Sequence, residues 1–259
     1  MIKKHLFKTS LVQIITSPVF YLSILAVFLS CIFSTEREDL LNVDGNCVTY
    51  AVDGVLSLAM ASKLIVLCTA FPCVASFCQD WNSQFIRPIV IRSGIGKYNR
   101  SKIGVCAIIS FVTAFWGLCI YEMFLATYMP IYTNHAVDLQ PWGVVGGKEI
   151  PVLYLLIRNI TFALYSTVWS VGGLMITAYL PNQFVAMISP VVLSYLVGQL
   201  EGLLPVYFST NSLSKNMIIT PGGTVGNLTY LIFYFSVLII IFGYIFGRKV
   251  KRRIRNEIV

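Results

Sequence analysis

The chain has 259 residues, of which 57% are hydrophobic and 12% are charged. About a quarter of the residues of a soluble domain are charged, so this composition excludes an ordinary soluble domain and indicates a polytopic membrane protein. The formal net charge of +8 does not indicate nucleic-acid binding, because the basic residues form short blocks between apolar runs. We expect membrane lipids as partners, and no nucleic acid.

The basic blocks predict which loops face the cytoplasm. Of the 19 Lys and Arg residues, 14 lie within residues 3–8, 87–102 and 248–255. Cytoplasmic loops of membrane proteins are enriched in Lys and Arg, so these blocks are predicted to lie inside. Acidic residues collect in the intervening loops, which are predicted to face outward. The chain is therefore expected to be a multi-pass protein of the cell membrane with both termini in the cytoplasm.

Apolar runs between the blocks predict an all-α integral membrane protein, with residues 1–259 forming a single transmembrane domain of six spans. Residues 1–15 are amphipathic and predict an interfacial elbow helix, and residues 247–259 are a basic cytoplasmic tail. A span needs about 20 apolar residues. The expected spans are approximately 18–34, 55–77, 103–126, 152–180, 184–200 and 228–246.

Two segments depart from a simple series of spans. Residues 152–180 are too long for one upright span, so we expect tilt, a bend at Gly172 and Gly173, or an outer start above the lipid. Residues 201–227 are moderately apolar and rich in Gly and Pro. This composition fits an outer hairpin between spans five and six that enters the membrane without crossing it.

The segment 79–102, which we call the platform, is basic and partly amphipathic. Its apolar residues recur at helical spacing, but Pro88 lacks the amide donor that a helix interior needs and suits the first turn of a new helix. We expect a helix, a break, a short second helix and a turn at Gly94 and Gly96. The apolar residues concerned are Trp81, Phe85, Ile86, Ile89 and Val90.

The sequence offers little catalytic chemistry. The stretch around Lys148 lacks the glycine and hydroxyl positions of a phosphate-binding loop, and the histidines are His5 and His135, in separate segments. We therefore expect no enzyme activity, cofactor or metal in this chain. The seven cysteines show no metal-ligand spacing and are expected to act as small apolar residues. Cys47 alone is predicted to be external.

Charged residues within spans are costly and attract a functional hypothesis. One interpretation makes Lys63, Glu122, Arg158 and Glu201 pathway or gate residues of an outer vestibule, with Lys63 and Glu122 as a possible ion pair. The other interpretation is structural pairing and snorkelling.

Two pairs of glycines are spaced for close helix approach. Gly198 and Gly202 are candidates for a dimer contact, and Gly243 and Gly247 have the same spacing.

The order of elbow, spans, platform and outer hairpin resembles the type-2 permease family of ATP-binding-cassette transporters over the whole chain. The most specific residues are Phe77 and Asp80, Phe85-Ile86, Ile91-Arg92, Lys97-Tyr98 and Ser101-Lys102. Two positions depart from the family pattern: Asp80 stands where glutamate is commoner, and Gln84 where the related two-component permeases are expected to carry glycine.

The resemblance implies that the platform docks into a separately encoded ATPase. It implies ATPase-coupling roles for Asp80, Trp81, Phe85, Ile86, Arg87 and Arg92. It also implies two ATPase copies, which bind ATP and magnesium, and a second permease copy or paralogue. The chain lacks the longer N-terminal segment of sugar-polymer exporters, so the expected cargo is an amphipathic small molecule, an antimicrobial peptide or a lipid-like molecule.

Two other function classes remain open. A membrane-embedded enzyme would use the outer-half carboxylates Asp53, Glu122 and Glu201. An ion-coupled secondary transporter is the third possibility, although the chain lacks the strong internal repeat that many such transporters carry.

Overall fold

The computed structural model describes residues 6–35, 47–132, 150–201, 203, 205, 208–210 and 223–258, and in this part of the chain the regular structure is helical, without strands. Its α-helices are α1 (Leu6–Ile15), α2 (Pro18–Ser34), α3 (Val48–Ser57), α4 (Ala59–Asn82), α5 (Ile86–Ser93), α6 (Ile95–Leu125), α7 (Pro151–Thr177), α8 (Gln183–Glu201) and α9 (Gly223–Ile258).

Five of these helices, α4 and α6 to α9, are long and apolar enough to cross a membrane. The pair α1 and α2 meets the same criterion as a sixth span, bent by 58° between its two helices. Ser17 accounts for where α2 begins, because its hydroxyl accepts from the amide of Val19 and Pro18 suits a first helical turn. The prediction of an all-α membrane protein is confirmed, and the structure has five to six helices able to span a membrane where the sequence predicts six spans.

The second predicted span, 55–77, has different bounds in the structure. Leu58 adopts an extended conformation and separates α3 from α4, which continues to Asn82. Most of α3 is buried, and its first amides donate to the carbonyls of Pro130 and Ile131, which supply acceptors that a helix start otherwise lacks. Cys47, predicted to be external, is fully buried beside Thr49. The apolar pattern runs through Leu58 without Gly or Pro, so it gives no signal of the break.

Helix α7 is central to the bundle and packs against α4, α6, α8 and α9. It continues through Gly172 and Gly173 as one uninterrupted helix. The glycines allow α8 to approach closely. A Cβ atom at Gly173 would lie 2.5 Å from Cγ of Pro190, and one at Gly172 would lie 2.5 Å from Cδ2 of Leu193.

Pro190 also explains a polar contact at this crossing. A proline inside a helix leaves the carbonyl four residues earlier without its amide donor, here that of Ala186. The hydroxyl of Ser189 donates to the Ala186 carbonyl at 3.2 Å and to the Gly173 carbonyl at 3.4 Å. The crossing of α7 and α8 is therefore fixed by both shape and hydrogen bonding.

The bundle has two ends of different chemistry. We call the end that holds α5, the end of α4 and the end of α9 the basic end. Helix α9 spans 36 residues without interruption, so the predicted tail is helical from Gly247 to Ile258. Val250 and Ile254 of this extension are buried in the same core cluster as Phe77 and Val90. The tail is therefore packed onto the platform.

We predict that Gly173→Ala weakens the bundle because the added methyl overlaps Pro190. Overpacking of this kind costs about 1–3 kcal/mol, so the thermal unfolding midpoint in detergent should fall. Gly54→Ala in α3 is the matched control, because a Cβ atom there meets nothing within 4 Å and alanine is a better helix former than glycine. Equal midpoints for the two variants would contradict the close crossing.

Candidate functional site

The platform is shaped by two residues with positive φ angles. Gln84 has φ 57° in the turn between α4 and α5, and Gly94 has φ 83° between α5 and α6. Glycine adopts such angles without steric cost, whereas other residues are strained by the Cβ atom. The backbone at Gln84 therefore has the conformation that would favour the glycine expected from the permease family. Pro88 lies in the first turn of α5.

Asp80 holds the platform to the start of α6. Its Oδ2 atom lies 2.8 Å from Nζ of Lys102 and accepts a 2.8 Å hydrogen bond from the hydroxyl of Tyr98. Lys102 also reaches the carbonyl of Ser76 at 3.5 Å. The side chains of Lys102 and Asp80 are 12% and 23% exposed, so solvent screens the pair only in part. The contact of Tyr98 with Asp80 was not predicted from the sequence.

The six predicted ATPase-coupling residues divide into inward and outward groups. Asp80 is paired within the chain, Ile86 is buried, and the ring of Trp81 lies 5.0 Å from the guanidinium of Arg253 on α9. Phe85 is 63% exposed, and Arg92 is exposed at the end of α5. The side chain of Arg87 lies outside the described part of the structure.

We call Phe85, Pro88, Ile91 and Arg92 the exposed platform face. All four are exposed, and Ile91 reaches 81% exposure. The buried residues Ile86 and Val90 lie on the other side of the same short helix. Helix α5 is thus attached to the bundle by one side and presents apolar and basic groups on the other.

An ion pair lies at the end of the bundle opposite the platform. The side chains of Arg158 on α7 and Asp53 on α3 are 1% and 26% exposed, and Nε of Arg158 donates to Oδ1 of Asp53 at 2.7 Å. Tyr154 donates its hydroxyl to the other oxygen of Asp53. Tyr154 and Arg158 are four residues apart and share one face of α7. Two donors from α7 therefore hold the carboxylate of α3.

Glu122 belongs to a neighbouring polar group on α6 and α7. The side-chain amide of Asn159 donates to Oε2 of Glu122 at 2.9 Å and approaches the sulfur of Cys119 at 3.6 Å. Oε1 of Glu122 and Oδ1 of Asn159 are buried without a hydrogen-bond partner in the structure. Buried acceptors without donors are costly, and a proton on Oε1 of Glu122 would turn one of these acceptors into a donor.

The suggested ion pair between Lys63 and Glu122 is not formed. Nζ of Lys63 donates to the hydroxyl of Tyr165 at 3.0 Å and to the carbonyl of Ser194 at 3.3 Å. Sequence spacing placed both residues toward one end of consecutive spans but did not determine which helix each faces. Both Lys63 and Glu122 turn toward residues of α7.

Glu201 is buried at the end of α8. Its carboxylate accepts hydrogen bonds from the hydroxyls of Ser209 at 3.4 Å and Thr210 at 3.0 Å. The four predicted pathway residues therefore form separate contacts rather than one network of direct pairs. Three of them, Lys63, Glu122 and Arg158, are connected through α7.

The proposed dimer-contact position Gly198 has open space beside it. Tyr195, Leu196 and Leu200 on the same helix are more than half exposed. Gly202, His5, His135, Lys148 and most of the predicted hairpin 201–227 lie outside the described residues. Among the residues that the structure does describe, there is no group of three or more His, Cys, Asp or Glu side chains arranged for a metal.

Comparisons with known proteins found no relative of this chain. No family model, curated protein or solved structure matches this chain.

The pair of Asp53 and Arg158 gives a test by substitution of both partners. We expect Asp53→Asn and Arg158→Met each to lower the stability of the bundle, because each removes the direct contact between the Arg158 guanidinium and the Asp53 carboxylate. The cost should lie below the roughly 3–5 kcal/mol of a fully buried pair, because the side chain of Asp53 is 26% exposed and solvent screens it in part. The double variant Asp53→Asn/Arg158→Met should recover a large part of the loss, because neither charge then remains.

The measurement is thermal or denaturant unfolding of the purified chain in detergent, arranged as a double-mutant cycle. Phe33→Ala is the control, because Phe33 is 84% exposed and should change the stability little. Additive single effects in the double variant would contradict a direct interaction between Asp53 and Arg158.

Proposed function

We propose that this chain is the membrane-spanning permease subunit of an ATP-driven exporter, of the kind that the type-2 ATP-binding-cassette permeases represent. The observation that carries the proposal is the exposed platform face. A short helix at the basic end is bound to the bundle through Ile86 and Val90 and presents Phe85, Ile91 and Arg92 outward. An apolar pair beside a cation suits an apolar groove with an acidic rim.

The contacts of the platform support a role in transmitting movement. The pair of Asp80 with Lys102 joins α4 to α6, and Trp81 contacts Arg253 of α9. A displacement of the platform, which includes the end of α4 and the start of α6, is therefore passed to three long helices at once. In this mechanism the partner ATPase, present in two copies, binds ATP and magnesium, and its closure moves α5 and switches the path from inward-facing to outward-facing.

The path itself lies between two permease copies or paralogues, with Gly198 and its exposed neighbours on α8 as the contact. Lys63, Glu122, Arg158 and Glu201 act as gate residues at the outer end, where their contacts within the chain can be exchanged as helices move. The cargo is an amphipathic small molecule, an antimicrobial peptide or a lipid-like molecule. The complex lies in the cell membrane, with both termini of this chain in the cytoplasm.

Ion-coupled secondary transport is the second candidate, and one observation favours it. Oε1 of Glu122 is buried inside the bundle without a hydrogen-bond partner, and a carboxylate in this position suits a proton that is taken up and released during transport. This candidate requires transport that follows an ion gradient, persists in vanadate and is abolished by Glu122→Gln. The exporter proposal instead requires that vanadate inhibit transport.

The exposed platform face can be tested by co-purification. We expect Phe85→Ala/Ile91→Ala, in a tagged chain expressed with an ATPase encoded beside it, to lower ATPase recovery at least about tenfold. Central apolar anchors of an interface are each worth about 2 kcal/mol or more, and 1.4 kcal/mol corresponds to a factor of ten. The substitutions should leave the bundle folded, because both side chains are mostly exposed.

Phe33→Ala and Met60→Ala together form the matched control, because these exposed apolar side chains, 84% and 80% exposed, lie at the opposite end of the bundle. Recovery of the ATPase should be unchanged in this control. Wild-type chain that recovers no ATPase, or transport that survives both removal of the ATPase and substitution of Phe85 and Ile91, would overturn the proposal.

A further inference from the structure

A groove separates the first turns of α6 from the last part of α9 at the basic end. Its volume is about 900 Å³, and it continues from the charged end of α9 toward the middle of the bundle. Glycine keeps the groove open on the α6 side, since a Cβ atom at Gly96 would meet nothing within 4 Å. The two helices meet along one side of the groove, where a Cβ atom at Gly243 would lie 3.1 Å from Ile103, so the groove is a surface channel beside this contact.

The mouth of the groove is cationic. Arg100 of α6 and Arg248 and Lys251 of α9 line it, and none of the described residues that line it is acidic. Arg248 and Lys251 are three residues apart on α9, so they lie on adjacent positions of one helix face. Two helices thus direct three positive charges toward one opening.

The wall of the groove becomes apolar away from the mouth. Ile240 and Tyr244 of α9 line this part, and each is 68% exposed. From Lys251 to Ile240 the helix rises by roughly 16 Å at about 1.5 Å per residue. A ligand that fills the groove therefore needs an anionic group at one end and an apolar portion of this length. Inorganic phosphate and nucleic acid satisfy the first requirement but not the second.

Asn99 fixes the two walls of the groove to each other. It is 6% exposed and lines the groove, and its side-chain nitrogen donates to the carbonyl of Gly247 at 3.0 Å. The basic residues of α6 and α9 are thereby held on opposite sides of one opening.

We propose that this groove binds an anionic phospholipid, such as phosphatidylglycerol. Arg100, Arg248 and Lys251 hold the phosphate, and an acyl chain lies along Ile240 and Tyr244. Basic pockets between membrane helices on the cytoplasmic side are suited to such headgroups. The proposal is independent of the exporter function and applies to a membrane protein of any class.

Native mass spectrometry of the detergent-purified full chain tests the proposal. Phosphatidylglycerol, phosphatidylethanolamine and phosphatidylcholine with identical acyl chains are titrated separately. We expect phosphatidylglycerol to bind at least about tenfold more tightly than phosphatidylcholine, because each basic residue near an anionic lipid contributes about a fivefold factor. The variant Arg100→Gln/Arg248→Gln/Lys251→Gln should lose this preference.

The matched control is Lys97→Gln/Arg252→Gln/Arg255→Gln. These three cations are exposed at the same end of the bundle but do not line the groove, so the control removes the same charge and should retain the preference. An equal loss in both triple variants would overturn the proposal, because it would show attraction by diffuse charge. Equal binding of phosphatidylglycerol and phosphatidylcholine would also overturn it.

A second variant tests the shape of the groove without changing its charge. Gly96→Leu fills the open space, and leucine is a better helix former than glycine, so the chain should remain folded. Phosphatidylglycerol binding should fall at least about threefold, and unchanged binding would place the lipid elsewhere. Competition with glycerol 3-phosphate distinguishes a lipid headgroup from a free phosphate ester as the ligand. Displacement of the lipid by an equal concentration of glycerol 3-phosphate would overturn the requirement for an acyl chain.

Discussion

The burial of α7 is the constraint on which the rest of the bundle depends. A helix surrounded by other helices inside a membrane has no water for its polar side chains, so these groups must find partners on the helices around it. Arg158 meets Asp53 of α3, and Asn159 meets Glu122 of α6. Two adjacent residues of one helix thus position two different neighbours. Near the other end of α7, Gly172 and Gly173 have no side chains, so α8 can pack closely against α7 there.

The two ends of the bundle are held together by different means. At the end opposite the platform, buried polar pairs connect α3, α6 and α7. At the basic end, the ion pair of Asp80 and Lys102 and the apolar residues of α5 and α9 form the joint. Because α9 is one continuous helix, it connects the two ends directly. A force applied to the platform therefore has a stiff route to the far end, which the proposed mechanism requires.

The sequence predicted a structural feature correctly where the residues that cause it lie within the feature itself. Pro88 and Gly94 act on their own turns, and α5 begins and ends close to them. Ser17 and Pro18 likewise account for the start of α2. The break at Leu58 has no such signal, because leucine continues the apolar pattern and its extended conformation is fixed by packing of α3 against the bundle. The burial of Cys47 likewise depends on packing and has no local sequence signal.

The sequence by itself determined that the chain is an all-helical membrane protein with several spans and a basic platform, because hydropathy, charge placement and turn residues act over short stretches of chain. Only the tertiary structure decided the partners of the polar residues. Lys63 meets Tyr165 rather than Glu122, Asp80 meets Lys102 and Tyr98, and the tail of α9 meets Trp81 and Asn99 of the platform. Such pairings depend on which faces of distant helices meet, and helical periodicity fixes a face but not its neighbour.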